Sequence, residues 1–145
     1  MSLEATMIIL DNSDFSRNGD YYPTRWESQK DSLSLLSNAK FNSNPESMVG
    51  VALMAGPQVQ ILTSPTDEQT RIMALVHNVP LAGRIKLTIA LSICQLALKH
   101  RLNKSQRQRC IVFLASPIDE DLNTLVTLAK KLKRNDIAVD FINLG

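Results

Sequence analysis

The residues best suited to nucleophilic or acid–base chemistry are two cysteines and two histidines, and their placement argues against such a use. Cys94 and Cys110 sit in the apolar runs Ile93-Cys94-Gln95-Leu96 and Cys110-Ile111-Val112-Phe113-Leu114, as small buried hydrophobes in a reducing compartment do. His100 follows Cys94 by six residues, about 600° of helical rotation, so a thiol–imidazole pair would have its members on opposite sides of one cylinder. His77 and His100 fall near the ends of expected helices, where partly exposed histidines are common. Phosphate cradles are missing too. The glycines are Gly19, Gly50, Gly56, Gly83 and Gly145, which form neither a dinucleotide fingerprint nor a P-loop, and no Gly-x-Ser-x-Gly elbow is present.

A basic run, Lys99-His100-Arg101 with Lys104, Arg107 and Arg109, could touch a polyanion, but no aromatic side chains interleave it for base stacking. Sixteen Lys and Arg against fourteen Asp and Glu leave a net charge of +2, too weak a field for nucleic acid or anionic membrane as the main partner. The run suits a solvated helix end and loop, or a dock for an acidic protein surface. Oxygen chemistry remains, in Asp11-Asn12-Ser13-Asp14 at the end of an apolar run. An Asp-x-Ser there either serves a ligand or caps its own turn by bonding nearby backbone N–H groups.

The elements that would carry these residues follow from patterning. The 145 residues suit one domain, and 44% hydrophobic with 21% charged residues is the balance of an ordinary globular chain. Residues 5–10 form a continuous apolar run, as in a strand buried on both faces of a parallel sheet. Thr24-Arg25-Trp26-Glu27 is a capping box opening a helix with Trp26, Leu33, Leu36 and Ala39 at helical spacing, ending near Asn42 to Pro45. Met48 to Ala55 and Val59 to Thr63 are β-type runs around Gly56-Pro57-Gln58, and an antiparallel hairpin is expected. Thr66 to Gln69 opens a short helix that Asn78 to Gly83 breaks. A helix over residues 84–102 is apolar on so wide a face that burial of most of it is expected. Residues 109–115 form a second apolar strand, Ser116-Pro117 caps a helix with the stripe Leu122, Leu125, Val126, Ala129 and Leu132, and residues 137–144 form a last strand.

The order β-α-β-β-α-α-β-α-β predicts a three-layer, doubly wound α/β fold, with a mostly parallel sheet and one antiparallel edge hairpin. Ligands of such sheets bind beyond the carboxyl ends of the strands, which singles out Asp11, Asn12, Ser13 and Ser116. The N-terminus has no basic n-region and its apolar run is too short for a signal core, so a cytosolic or nuclear protein is expected.

Asp-x-Ser-x-Ser after the first strand of a three-layer α/β domain resembles the metal-ion-dependent adhesion site of von Willebrand factor A (VWA) domains. There an aspartate, two hydroxyls, a threonine and a second aspartate hold a hard divalent cation. Asp11 and Ser13 match. Phe15 stands at the second serine position, Ile85 at the threonine position and Ser116 at the second aspartate position, so no metal and no other cofactor is expected. Longer segments resemble one group within that family, the N-terminal domains of multiubiquitin-receptor subunits of the proteasome regulatory particle. They include residues 3–6, Asp11-Asn12-Ser13, residues 16–20, 42–46, 95–101, Ser116-Pro117-Ile118, 128–130 and 139–145, and they cover essentially the whole chain.

The resemblance implies a non-enzymatic scaffold at the junction of lid and base, in cytoplasm and nucleus, serving ubiquitin-dependent protein degradation. Its partners would be proteasome lid and base subunits, contacted through a polar docking surface of Asp11, Asn12, Ser13, Arg17, Asn18 and Asp20. It also implies a single domain over residues 1–145 that lacks the usual final strand and helix. Ubiquitin chains would be bound only by C-terminal motifs that these residues do not contain. Two other classes compete with this reading: a metal-dependent VWA ligand-binding module unrelated to the proteasome, and an enzyme of the doubly wound class.

Overall fold

The computed structural model describes residues 4–17, 24–55, 58–77, 79–100, 105–115 and 121–143. The strands are β1 (Glu4–Leu10), β2 (Met48–Leu53), β3 (Gln60–Thr66), β4 (Arg107–Leu114) and β5 (Ile137–Asn143). The helices are α1 (Arg25–Ser43), α2 (Gln69–His77), α3 (Leu87–Lys99) and α4 (Leu122–Arg134), with a short 3-10 turn at Asp14–Arg17. The sheet order is β3-β2-β1-β4-β5, and every pairing is parallel except β2 with β3. The expected mostly parallel sheet with one antiparallel hairpin is therefore what forms.

β1 sits at the centre because it can be buried on both faces. Ala5, Met7 and Ile9 join Cys110, Val112 and Leu114 in one core beneath α3 and α4. Ile8 and Leu10 join Val49, Val51, Ile111 and Phe113 in a second core beneath α1 and α2. This two-sided burial explains the unbroken apolar runs of β1 and β4, since alternation is needed only where one face meets water. Gly50 marks a close approach on the first of these faces. A Cβ there would fall on Met7 Sδ and lie 2.9 Å from Thr63 O and 3.0 Å from Pro65 N.

Thr24 caps α1 as its spacing predicts, its hydroxyl accepting from Glu27 N at 3.1 Å. The buried face of α1 differs from the expected stripe. Trp26 and Leu33 are buried, but Ala39 is exposed, and Gln29 and Ser37 are buried instead. Ser37 donates to Leu33 O at 2.8 Å, which lets a hydroxyl enter the core.

Four further expectations are corrected. α3 starts at Leu87 rather than Arg84, because Lys86 N bonds Met54 O at 2.7 Å and Ala82 N bonds Asn12 O at 2.9 Å, holding the preceding segment out of helical conformation. Its expected end at Leu102 lies outside the described residues. Nor is α3 mostly buried: Leu87, Ala90, Leu91, Cys94 and Leu98 face the core, while Ile89 and Leu96 are 51% and 56% exposed. The cap of α4 is Asp121, accepting from Asn123 N at 3.2 Å, rather than Ser116, which lies outside the described residues. From the expected α4 stripe Leu132 is buried and Leu125 half-buried, whereas Val126 and Ala129 are exposed.

Candidate functional site

The strand order reverses between β1 and β4, so their carboxyl ends form the crevice where α/β sheets hold ligands. Asp11, Asn12 and Ser13 lie there, and all three are buried. Asp11 joins the two strand ends: its Oδ1 accepts from Ser13 N at 3.0 Å and its Oδ2 from Ala115 N at 2.8 Å. The first bond is the self-capping turn; the second ties the β1 loop to the end of β4. Gln29 of α1 braces the same residue, accepting from Asp11 N at 2.8 Å and donating to Asp11 O at 3.0 Å and Ser16 Oγ at 3.1 Å. Ser16 also donates to Asp11 O, and Arg25 to Ala115 O.

Asn12 does for the other side of the crevice what Asp11 does for β4. Its Oδ1 accepts from Ala55 N at 2.9 Å beyond β2, its Nδ2 donates to Pro80 O at 3.4 Å, and its carbonyl accepts from Ala82 N. Asp14 completes the closure, its N donating to Gly83 O at 3.1 Å and its Oδ2 accepting from Gly83 N at 3.3 Å. Gly83 has φ 76°, a left-handed conformation that a side chain would strain. Polar residues in this crevice thus satisfy the backbone of three loops, as buried polar groups must.

Of the residues expected in a docking surface, Asp11, Asn12 and Ser13 are buried, and the Asp11 and Asn12 side chains hold the surrounding loops together. Arg17 is exposed, donating to Leu81 O and lying 3.6 Å from Asp14 Oδ1. Asn18 and Asp20 lie outside the described residues. Phe15, two residues before Arg17, is 40% exposed.

A divalent cation does not fit the described donors. Both Asp11 oxygens accept backbone N–H groups, Phe15 offers no oxygen, and Ile85 packs against the core beneath α3. Among the described residues no group of three or more His, Cys, Asp or Glu converges. Thiol chemistry is opposed as well. Burial pushes the Cys110 thiol up to about 12, and burial reinforced by Cys110 pushes Cys94 well above its ordinary value, so neither is a thiolate at neutral pH. His100 is exposed while Cys94 is buried, and His77 is exposed at the end of α2. Within the basic run, Arg109 is engaged by Glu4 at 3.2 Å and Asp140 at 2.6 Å.

A five-stranded sheet in this order, with a strand-end Asp-x-Ser in its crevice, defines the class. The family model of the von Willebrand factor type A domain matches residues 6–118, and the chain belongs to that family. Within it, the chain is similar to proteasome subunits. It is 50% identical over 145 residues to the 26S proteasome non-ATPase regulatory subunit 4 homolog of Arabidopsis thaliana, a match covering all of this chain and 38% of that one. Against the 26S proteasome regulatory subunit rpn10 of Schizosaccharomyces pombe it is 46% identical, over all of this chain and 60% of that one. The crystal structure of the SpRpn10 VWA domain agrees with it at a TM-score of 0.94 and 45% identity, covering 97% of this chain and 75% of that one. The chain therefore spans less than two thirds of the length of the curated relatives it matches.

Proposed function

We propose that this chain is a non-catalytic adaptor domain of the 26S proteasome regulatory particle, bound to lid and base subunits and serving ubiquitin-dependent protein degradation in cytoplasm and nucleus. The observation that carries the reading is identity of 41–50% over essentially the whole chain to proteasome regulatory subunits from plants, fungi, animals and Dictyostelium discoideum. The crevice chemistry supports it, because the polar residues there are spent on loop closure and the thiols are buried and protonated.

In this reading Asp11, Asn12 and Ser13 shape the loop, and Phe15 and Arg17 on its exposed rim make the contact. Asn18 and Asp20 stay in the proposed surface on sequence grounds. Aromatic residues and arginine are both enriched at protein interfaces. The test is native affinity purification of the tagged chain and of a Phe15→Asp/Arg17→Glu variant, with mass spectrometry of the proteins that accompany each. Regulatory-particle subunits should accompany the parent chain and be lost from the folded variant. Equal recovery by the variant would remove the rim from the account, and no recovery by either chain would remove the proteasome.

A further inference from the structure

The two helices over the β1/β4/β5 face carry a charge pattern that loop closure and the rim do not use. α3 and α4 contain Lys99, Lys130, Lys131, Lys133 and Arg134, and no acid at all. On the opposite face α1 and α2 mix signs, with Glu27 and Asp31 among Arg25, Lys30, Lys40 and Arg71. Five cations without an acid on α3 and α4, against four cations with two acids on α1 and α2, make the α3–α4 layer the more positive of the two.

Between these helices runs a groove. Thr88, Ser92, Gln95 and Lys99 are spaced four, three and four residues apart and so share one face of α3. Ser92, Gln95, Leu96 and Lys99 line a cavity of about 540 Å³ opposite Lys131 and Asn135. A second cavity of about 400 Å³, lined by Thr88, Asn123, Thr124, Thr127 and Leu128, shares Lys131 with it, and Thr124 there donates to Asp121 Oδ2 at 3.2 Å. The Ser92 hydroxyl donates to Thr88 O at 3.0 Å and the Thr127 hydroxyl to Asn123 O at 2.9 Å, which leaves their oxygens to accept from a bound molecule. Leu96 stands half out of the same groove.

We propose that the α3–α4 groove is a docking seat for an acidic polypeptide segment bearing one apolar side chain. Its carboxylates meet Lys99 and Lys131, its backbone N–H groups meet the hydroxyl oxygens, and its apolar side chain covers Leu96. Charge complementarity selects an acidic partner, and the acceptor-rich walls select a peptide. A nucleic-acid backbone carries phosphate but no N–H donors for those oxygens, and among the described residues no aromatic side chain lines the groove for base stacking.

The probe is a fluorescein-labelled peptide of glutamates flanking a single leucine, titrated by anisotropy against the whole chain. A glutamine-for-glutamate peptide and an oligothymidylate of equal charge serve as comparisons. The glutamate peptide should bind about tenfold more tightly than the glutamine one, as two exposed ion pairs permit. Lys99→Glu/Lys131→Glu should lose about that factor, while the exposed Arg71→Glu on the opposite face keeps parental affinity. Because reversal at two helix ends also opposes the helix dipole, Lys99→Gln/Lys131→Gln is measured beside it, with circular dichroism on each. Parental affinity in both groove variants, an equal loss in Arg71→Glu, no binding by the parent chain, or thymidylate binding as tight as the glutamate peptide would each overturn the proposal.

Discussion

Replacing Asp11 with alanine removes the acceptor for two backbone N–H groups at once, Ser13 N at 3.0 Å and Ala115 N at 2.8 Å, in a site closed to solvent. A buried donor left without a partner costs about 1–3 kcal/mol. Two of them, relieved in part by water entering the loop, cost about 3 kcal/mol. Domains of this size unfold at about 5–15 kcal/mol, so the loss is a large fraction of the whole. At about 2–4 °C per kcal/mol the melting temperature should fall by about 6–12 °C. Trp26 is the only tryptophan and is buried at the start of α1, so urea unfolding followed by its fluorescence reports the transition. The internal comparison is Asp14→Ala, an exposed carboxylate three residues on, which should cost under about 1 kcal/mol. If Asp11→Ala lies within about 0.5 kcal/mol of the parent, or costs no more than Asp14→Ala, the carboxylate is not the clamp described here. Asp11→Arg is expected to be worse still, because it buries an unpaired cation. Failure of that variant to join an assembly would therefore report folding and not docking.

Other predictions test the core and the site. Gly50→Ala should cost about 1–3 kcal/mol in urea unfolding, since its Cβ would collide with Met7 and the β3 backbone; a neutral result would mean that β2 and β3 can separate freely. Stability should decline with rising alkalinity. The unfolded Cys110 thiol loses its proton near 9.0 and the folded one only near 12, so the stabilisation is complete below 9 and is lost as pH climbs toward 12. A Cys110→Ala variant should flatten that part of the profile, and an unchanged slope would contradict the burial of the thiol. Magnesium should leave the melting temperature of the chain unchanged; a rise would show a native-state cation site that these donors do not explain.

The strands were legible because burial on both faces writes itself into β1 and β4 as unbroken apolar runs, and the Thr24 to Glu27 box marks the start of α1 directly. The outward faces of α3 were not. Apolar residues ring that helix, and which side meets the sheet depends on neighbours, so nothing local separates buried Leu91 from exposed Leu96. At the site, the Asp11 to Ser13 turn is local and readable. Its burial is not, because the partners that enclose it, Gln29, Ala55, Ala82 and Ala115, come from distant parts of the chain. Gln29 escaped notice for a related reason: a buried amide inside a helix gives no hydropathy signal, and only its two bonds to the Asp11 backbone show its use.

Membership of the proteasome regulatory particle is tested most directly in Saccharomyces cerevisiae lacking its 26S proteasome regulatory subunit RPN10, the relative 47% identical to this chain. The tagged chain would be expressed in such cells and native extract resolved on a glycerol gradient. The account predicts that the chain sediments with proteasome particles, and that Phe15→Asp/Arg17→Glu leaves it at the top of the gradient as a folded monomer. A parent chain found only at the top, folded and away from every particle, would contradict the account.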